Sequence, residues 1–228
     1  MPASNTQTAP KSRRRSQRGI EAEQKLLSAA NEVFWTHGFA GSTIAQIIEA
    51  SGMSVGSFYH QFEDKSDLLE RGTQRVLDDF QVTFGALDLS RDANGTLFRM
   101  FYRLTLEARR MAARNRGFYR AISELAQNQI EGFGPLRALT SKVVAGTNEV
   151  IGEYVAPSDV PPRRDSVAHA IQLIAMSAMQ TELGMGPLYP TDEEEFAVVI
   201  ARAACGILGY CRDIDLRAAP HDAERGGT

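Results

Sequence analysis

Apolar residues recur at three- and four-residue intervals along almost the whole chain, the period of amphipathic helices, and no alternation of strand type runs for a useful length. Ile20, Leu26, Leu27, Ala30, Val33 and Phe34 form one stripe. Gly38 with Phe39 just beyond it predicts a glycine-capped helix end and its apolar contact. Next, Ile44, Ile47 and Ile48 make a short apolar face behind Ser42 or Thr43, either of which can cap a helix N-terminus. Gly52 suits a turn of positive φ, Met53 plugs it, and Ser54 can cap a further helix from Val55 to Phe62. Phe58 and Phe62, four apart, are the buried edge of that helix. Val55, Gly56, Ser57, Tyr59, His60 and Gln61 remain for solvent or a partner.

Two short helices across a tight turn, behind a longer one, are the layout of a helix-turn-helix, whose second helix enters the DNA major groove. The face left outside is small, polar and aromatic and holds no acid, which suits close approach to a polyanion. Three such helices make a module of roughly 50 residues, supportable when packed on something else.

Helix then follows helix. Leu68, Leu69, Val76, Leu77 and Phe80 mark a fourth, ending near Gly85. Asp92 or Asn94 can cap a fifth carrying Leu97, Phe101, Leu104 and Ala108. Phe118, Ile122 and Leu125 mark a sixth ending near Gly132, and Leu136 to Tyr154 a seventh ended by Pro157. Pro161 and Pro162 introduce an eighth, proline being tolerated at a first helical position. Thr191-Asp-Glu-Glu194 opens a ninth as a capping box. The predicted fold is all-α, with about nine helices: a basic arm at 1–17, the helix-turn-helix at 18–64, a helical regulatory and dimerisation region at 65–212, and a tail at 213–228. Arm and tail are expected to be disordered.

Phe34, Gly38, Phe39, Thr43, Ile47, Gly52, Met53, Ser54, Gly56, Ser57, Phe58, Tyr59, Phe62, Lys65 and Leu68 stand in the order and spacing of a known signature. This stretch resembles the N-terminal domain of the TetR family of bacterial transcriptional regulators. The resemblance implies an all-α homodimer that binds double-stranded DNA, with a small-molecule site in its C-terminal region. It implies phosphate contacts from Thr43, Tyr59 and Lys65, and base-edge contacts from Val55, Gly56 and Ser57. Gly56 permits close approach, Ser57 can bond several base edges, and Val55 can touch a thymine methyl. His60 belongs to the same face. Gln61 stands where the family often has a phosphate-contacting histidine, and Ile48 where many helix-turn-helix proteins have alanine. Read singly, Tyr59 is a surface tyrosine and Lys65 a first-turn lysine placed against the helix dipole; the whole signature favours DNA binding.

The eighth and ninth helices are apolar over much of their circumference, from Ala168 to Met179 and from Phe196 to Leu208, so they need two partners or complete burial. The family commonly dimerises here through a four-helix bundle. Two recognition helices related by a two-fold axis would read half-sites ~34–36 Å apart. A ligand changing that separation would release the DNA, with coupling equal to its differential affinity for the two states. The fourth helix, attached at Lys65, is the natural lever. Phe84, Phe101, Tyr102, Met111, Phe118, Tyr119, Phe133, Met176 and Met179 either fill the core or line an adaptable pocket for a small apolar or amphipathic effector. Arg109, Arg110, Arg114, Arg116 and Arg120 either attract an anion or form a solvated face with ion pairs such as Arg103–Glu107.

Composition narrows the picture. Net charge is −3, which excludes a generally basic nucleic-acid coat, yet Lys11, Arg13, Arg14, Arg15 and Arg18 cluster without an acid, while residues 66–228 hold 18 basic and 22 acidic residues. That arm suits phosphate or minor-groove contacts, or is a solubilising tail. No apolar run approaches the ~18 residues of a membrane span, and the polar N-terminus is no signal peptide, so a cytoplasmic protein is expected. Cys205 and Cys211, six apart, read as small buried hydrophobes rather than a disulfide pair. His37, His60, His169 and His221 are scattered without metal-ligand spacing, and no nucleophile elbow, phosphate loop or dinucleotide fingerprint occurs. No cofactor, metal or catalytic group is expected. The alternative to an effector-controlled repressor is a ligand-independent DNA-binding structural or activator protein of the same fold.

Overall fold

The computed structural model describes residues 17–126, 134–156, 160–184 and 192–209. Among these, ten α-helices and one 3-10 turn form the fold, with no strand: α1 Gln17–Gly41, α2 Ile44–Ser51, α3 Val55–Gln61, α4 Lys65–Gly85, α5 Arg91–Asn94, α6 Leu97–Arg114, α7 Arg116–Ala126, α8 Gly134–Val150, α9 Arg164–Glu182 and α10 Glu193–Ile207. The 3-10 turn, Ile151–Tyr154, closes α8. None of the described helices is long and apolar enough to cross a membrane.

The N-terminal helices form for the reasons their sequence gives. α1 is broken at Gly38, whose φ of 71° and ψ of 173° interrupt the helical path. Thr43, not Ser42, caps α2: its hydroxyl accepts the Gln46 amide at 3.2 Å, and the Gln46 side chain accepts the Thr43 amide at 2.8 Å. Such a capping box contributes about 1 kcal/mol. Ser42 instead turns inward and donates to the Phe39 carbonyl at 2.8 Å. Gly52 ends α2 at φ 65°, a left-handed conformation that costs a side-chain-bearing residue energy. Ser54 caps α3, accepting the Ser57 amide at 3.1 Å.

Two apolar clusters hold the molecule. One joins Leu26, Ala30 and Phe34 of α1 to Ile47, Phe58, Phe62, Leu68 and Val76, and is completed by Ala112, Phe118, Tyr119 and Ala121 from α6 and α7. The other joins α6, α9 and α10 through Phe101, Leu104, Ile171, Ile174, Phe196 and Ile200, with Ile151 and Tyr154 beside them. Each fully buried large side chain contributes about 2–3 kcal/mol of apolar transfer.

Several expectations shift. Ile20 is 37% exposed, one helical turn too early to reach the core. The helix carrying Leu97 and Phe101 is capped by Thr96, which accepts the Arg99 amide at 3.2 Å, because Ser90 caps a separate short α5 and Asn94 is buried at its end. Pro161 and Pro162 precede α9 without entering it; its N-cap is Arg163. Asp192 caps α10, one residue later than the expected box, accepting the Glu194 and Glu195 amides at 2.9 and 3.0 Å. Its carboxylate brings a negative charge to the helix start, which a threonine hydroxyl lacks. Arg103 donates to Asn94 Oδ1 at 2.7 Å, and Glu107 pairs with Arg110 instead. The basic arm, Gly132, Phe133, Pro157, Thr191, Cys211 and the tail after 212 lie outside the described residues; Cys205 is buried in α10.

Candidate nucleic-acid interface

α3 is amphipathic and leaves one face open. Phe58 is fully buried and Phe62, just past the helix, nearly so, whereas Val55 is 59% and Tyr59 57% exposed, with Gly56 and His60 exposed beside them. Ser57 and Gln61 are half-buried at the edges of the face. The Ser57 hydroxyl lies 2.9 Å from that of Ser54, so the N-terminal turn is braced by its own side chains. The Tyr59 ring stands edge-on to Phe58, with centroids 5.3 Å apart, which fixes its departure angle. Thr43 is exposed at the start of α2.

Lys65, at the start of α4, turns toward the chain between α1 and α2. Its ammonium donates to the Phe39 carbonyl at 2.6 Å and to the Ser42 carbonyl at 2.7 Å, and it sits 4.5 Å from the centre of the Phe39 ring. Two of its three donors are thereby spent on the chain between α1 and α2. A pattern of spacing cannot distinguish this inward use of a lysine from an outward one.

Arg71 of α4, which sequence reasoning passed over, holds the far end of α3. It donates to the Gln61 carbonyl, pairs with Glu23 of α1, and lies 4.7 Å from the centre of the Phe62 ring. The signal was present in principle: an arginine nine residues after an aromatic helix end can reach back one and a half turns of α4 to it.

α7 clamps the module from behind. The Asn31 side chain donates to the Arg114 carbonyl at 3.1 Å and accepts the amides of Gly117 and Phe118 at 3.1 and 3.3 Å. Glu124 accepts the amides of Phe39 and Ala40 at 2.7 and 3.3 Å, filling the space where any side chain on Gly38 would stand. Arg116 pairs with Glu32 at 2.9 Å. The five arginines expected as a basic cluster are mostly paired with acids: Arg109 with Glu182 at 3.2 Å, Arg110 with Glu193 at 2.9 Å and Arg120 with Glu124 at 3.4 Å.

A cavity of about 310 Å³ lies between α4, α6, α7, α8 and α9. Phe84, Tyr119, Met176 and Met179 line it, together with Met111. Phe101 does not; it is fully buried in the α6–α9–α10 core. Phe118 packs away from it, on Phe34 with centroids 5.8 Å apart. Tyr102 is half-buried, outside the lining, near the acids that open α10. Phe80, Leu104, Thr140 and Val143 also stand in the wall, with Arg137 and Gln172, and periodicity could not have told the first four from ordinary core. Burial pushes the Tyr119 phenol up to about 12, so it stands in the wall as a neutral hydroxyl. Among the described residues no group of three His, Cys, Asp or Glu side chains could hold a metal ion.

Residues 26–71, from the core of α1 through α2 and α3 to Arg71, match the family model of bacterial regulatory proteins of the tetR family. Over this stretch the chain is similar to the TetR family. Among curated TetR-type relatives, the transcriptional repressor AcnR of Corynebacterium efficiens is 37% identical over 49 residues, 22% of this chain and 26% of that protein. ComR of Escherichia coli, also a transcriptional repressor, is 30% identical over 80 residues, 35% of this chain and 37% of that one. The alignment with the transcriptional regulator TtgR of Pseudomonas putida, 27% identical, reaches 42% of this chain and 49% of that protein. The chain thus spans about a quarter to a half of the length of these curated relatives. The TetR fold itself extends further. A tetR-family regulatory protein from Rhodococcus RHA1 superposes with a TM-score of 0.62 at 18% identity, covering 82% of this chain and 97% of that one. Salmonella enterica GusR gives 0.56, also at 18% identity, covering 83% and 96%.

Proposed function

We infer that this protein is a DNA-binding transcriptional regulator, a repressor by the commonest mode of its family, which binds a pseudo-palindromic operator as a homodimer and is released by a small-molecule effector. The observation that carries this reading is the outward face of α3: exposed Val55, Gly56, Tyr59 and His60, with no acid in the helix, on a helix held from behind by Phe58, Phe62 and Arg71. In this reading Val55, Gly56 and Ser57 meet base edges while Thr43, Tyr59, His60 and Gln61 position the helix on the backbone. Lys65 contributes chiefly by holding α1 and α2 against the start of α4, and offers its one remaining donor to a phosphate.

The dimer face is α10 with α9. Val199 is 48% and Ile207 39% exposed, flanked by exposed Ala203 and Gly206, with Met176 exposed and Leu173 half-buried on α9. Small residues let two such faces approach closely, and a stable dimer would cover them. Sedimentation at micromolar concentration tests this; a monomer would sink the dimer. The α4–α9 cavity supports effector control over the ligand-independent alternative.

The test is selection from a random-site DNA library, then fluorescence anisotropy of the selected duplex across a salt series. Sequence-dependent binding that weakens steeply with salt establishes the regulator. No enrichment of any sequence would overturn it.

A further inference from the structure

We propose that the α4–α9 cavity is built for an apolar monoanion, a hydrophobic carboxylic acid whose head is held at the rim by Arg137 of α8. The inference deepens the effector reading above and rests on it.

Polarity is graded across the cavity. Its floor is made of buried Leu104, Met111, Tyr119, Ile171 and Ile174, with Tyr119 supplying a neutral hydroxyl. Its rim carries the exposed side chains of Arg137, Gln172 and Met176. Among the described residues that line the cavity, Arg137 is the one that is charged, and none carries a carboxylate. A second space of about 390 Å³ adjoins the first, sharing Phe80, Phe84, Leu104 and Val143, and among its described lining residues the one that is charged is again a cation of α8, Lys142. Two adjoining apolar spaces, each with a single cation and no acid among its described lining residues, disfavour an organic cation, whose charge would meet like charge there. They equally give no reward to the head of a neutral lipid beyond its hydrogen bonds. A guanidinium at the mouth matches a carboxylate with two parallel donors, while the apolar body sinks to the methionines and aromatic rings. The volumes fall in the range of small-molecule sites.

Displacement of the fluorescent apolar amine N-phenyl-1-naphthylamine from the full chain, without DNA, tests the head and the body separately. The competitors are decanoate and 1-decanol, which share one chain and differ in the head. Decanoate is expected to displace the dye at a concentration about fivefold lower than decanol, a margin that narrows with salt. In Arg137→Gln the margin should vanish while decanol is unchanged, and Arg137→Lys should restore part of it. Arg137 is exposed, so circular dichroism should show both variants folded. Ala108→Phe, which fills the cavity, should abolish displacement by both. Equal displacement by the two competitors, a margin that survives Arg137→Gln, or no dye uptake at all overturns the proposal. DNA binding is measured separately on the same preparation without ligand, so loss of the regulator reading and loss of the ligand class are told apart.

Discussion

Glu124 and Lys65 grip Phe39 from opposite ends: the Glu124 carboxylate accepts its amide at 2.7 Å, and the Lys65 ammonium donates to its carbonyl at 2.6 Å. α7 and the first turn of α4 therefore both hold Phe39, at the broken end of α1. A change in α7, one wall of the cavity, reaches the helix-turn-helix through this residue as well as through α4.

Lys65→Met removes two charge-assisted bonds and takes from the Ser42 carbonyl its Lys65 donor, while the Phe39 carbonyl keeps the Ser42 hydroxyl. Denaturant unfolding should show a loss of about 1–3 kcal/mol. In DNA titrations affinity should fall with the salt slope nearly unchanged. A slope reduced by about one would instead mark Lys65 as mainly a phosphate contact.

Tyr59→Ala should leave stability within about 0.5 kcal/mol, because the side chain is mostly exposed. Anisotropy should nonetheless show DNA affinity lower by about tenfold or more. Equal affinity would remove Tyr59 from the interface.

Gly117→Ala places a methyl group on the Asn31 backbone carbonyl, which has no flexible end to move aside. A loss of stability above about 2 kcal/mol is expected in urea unfolding. Amide exchange should quicken in α1 and α7 together.

Tyr119→Phe should alter stability only in alkali. The phenol is raised to about 12 in the folded chain, above its ordinary value near 10, by burial. Its neutral form is the one folding favours, so this contribution is whole below about pH 10 and drains away as pH rises towards 12. Unfolding at pH 8 and pH 11 should show a gap between wild type and variant that shifts by about 1–2 kcal/mol in favour of the variant at the higher pH.

The helices were legible because their signals are local. The Thr43–Gln46 box, Gly52 and the Phe58/Phe62 pair need nothing beyond a few neighbours to act. Caps slipped where two residues competed for one role, as with Thr96 against Asn94, since a cap depends on which backbone angle is extended. The cavity was half legible. Tyr119 and its neighbour Phe118 are alike in sequence, yet one faces the cavity and the other Phe34. Only the packing angle of α7 decides that. Arg71 and Glu124 escaped notice because their partners lie 48 and 85 residues away.

The Asn31 side chain and the Phe118 amide that it binds are 87 residues apart. At a synthesis rate of about 5–20 residues per second, roughly 4–17 s separate the two on the ribosome. Throughout that interval Phe34 has no Phe118 to cover it. The helices α1 to α3, although first to be made, can finish their core only when α7 arrives, so their completion is timed by the translation of a helix far along the chain.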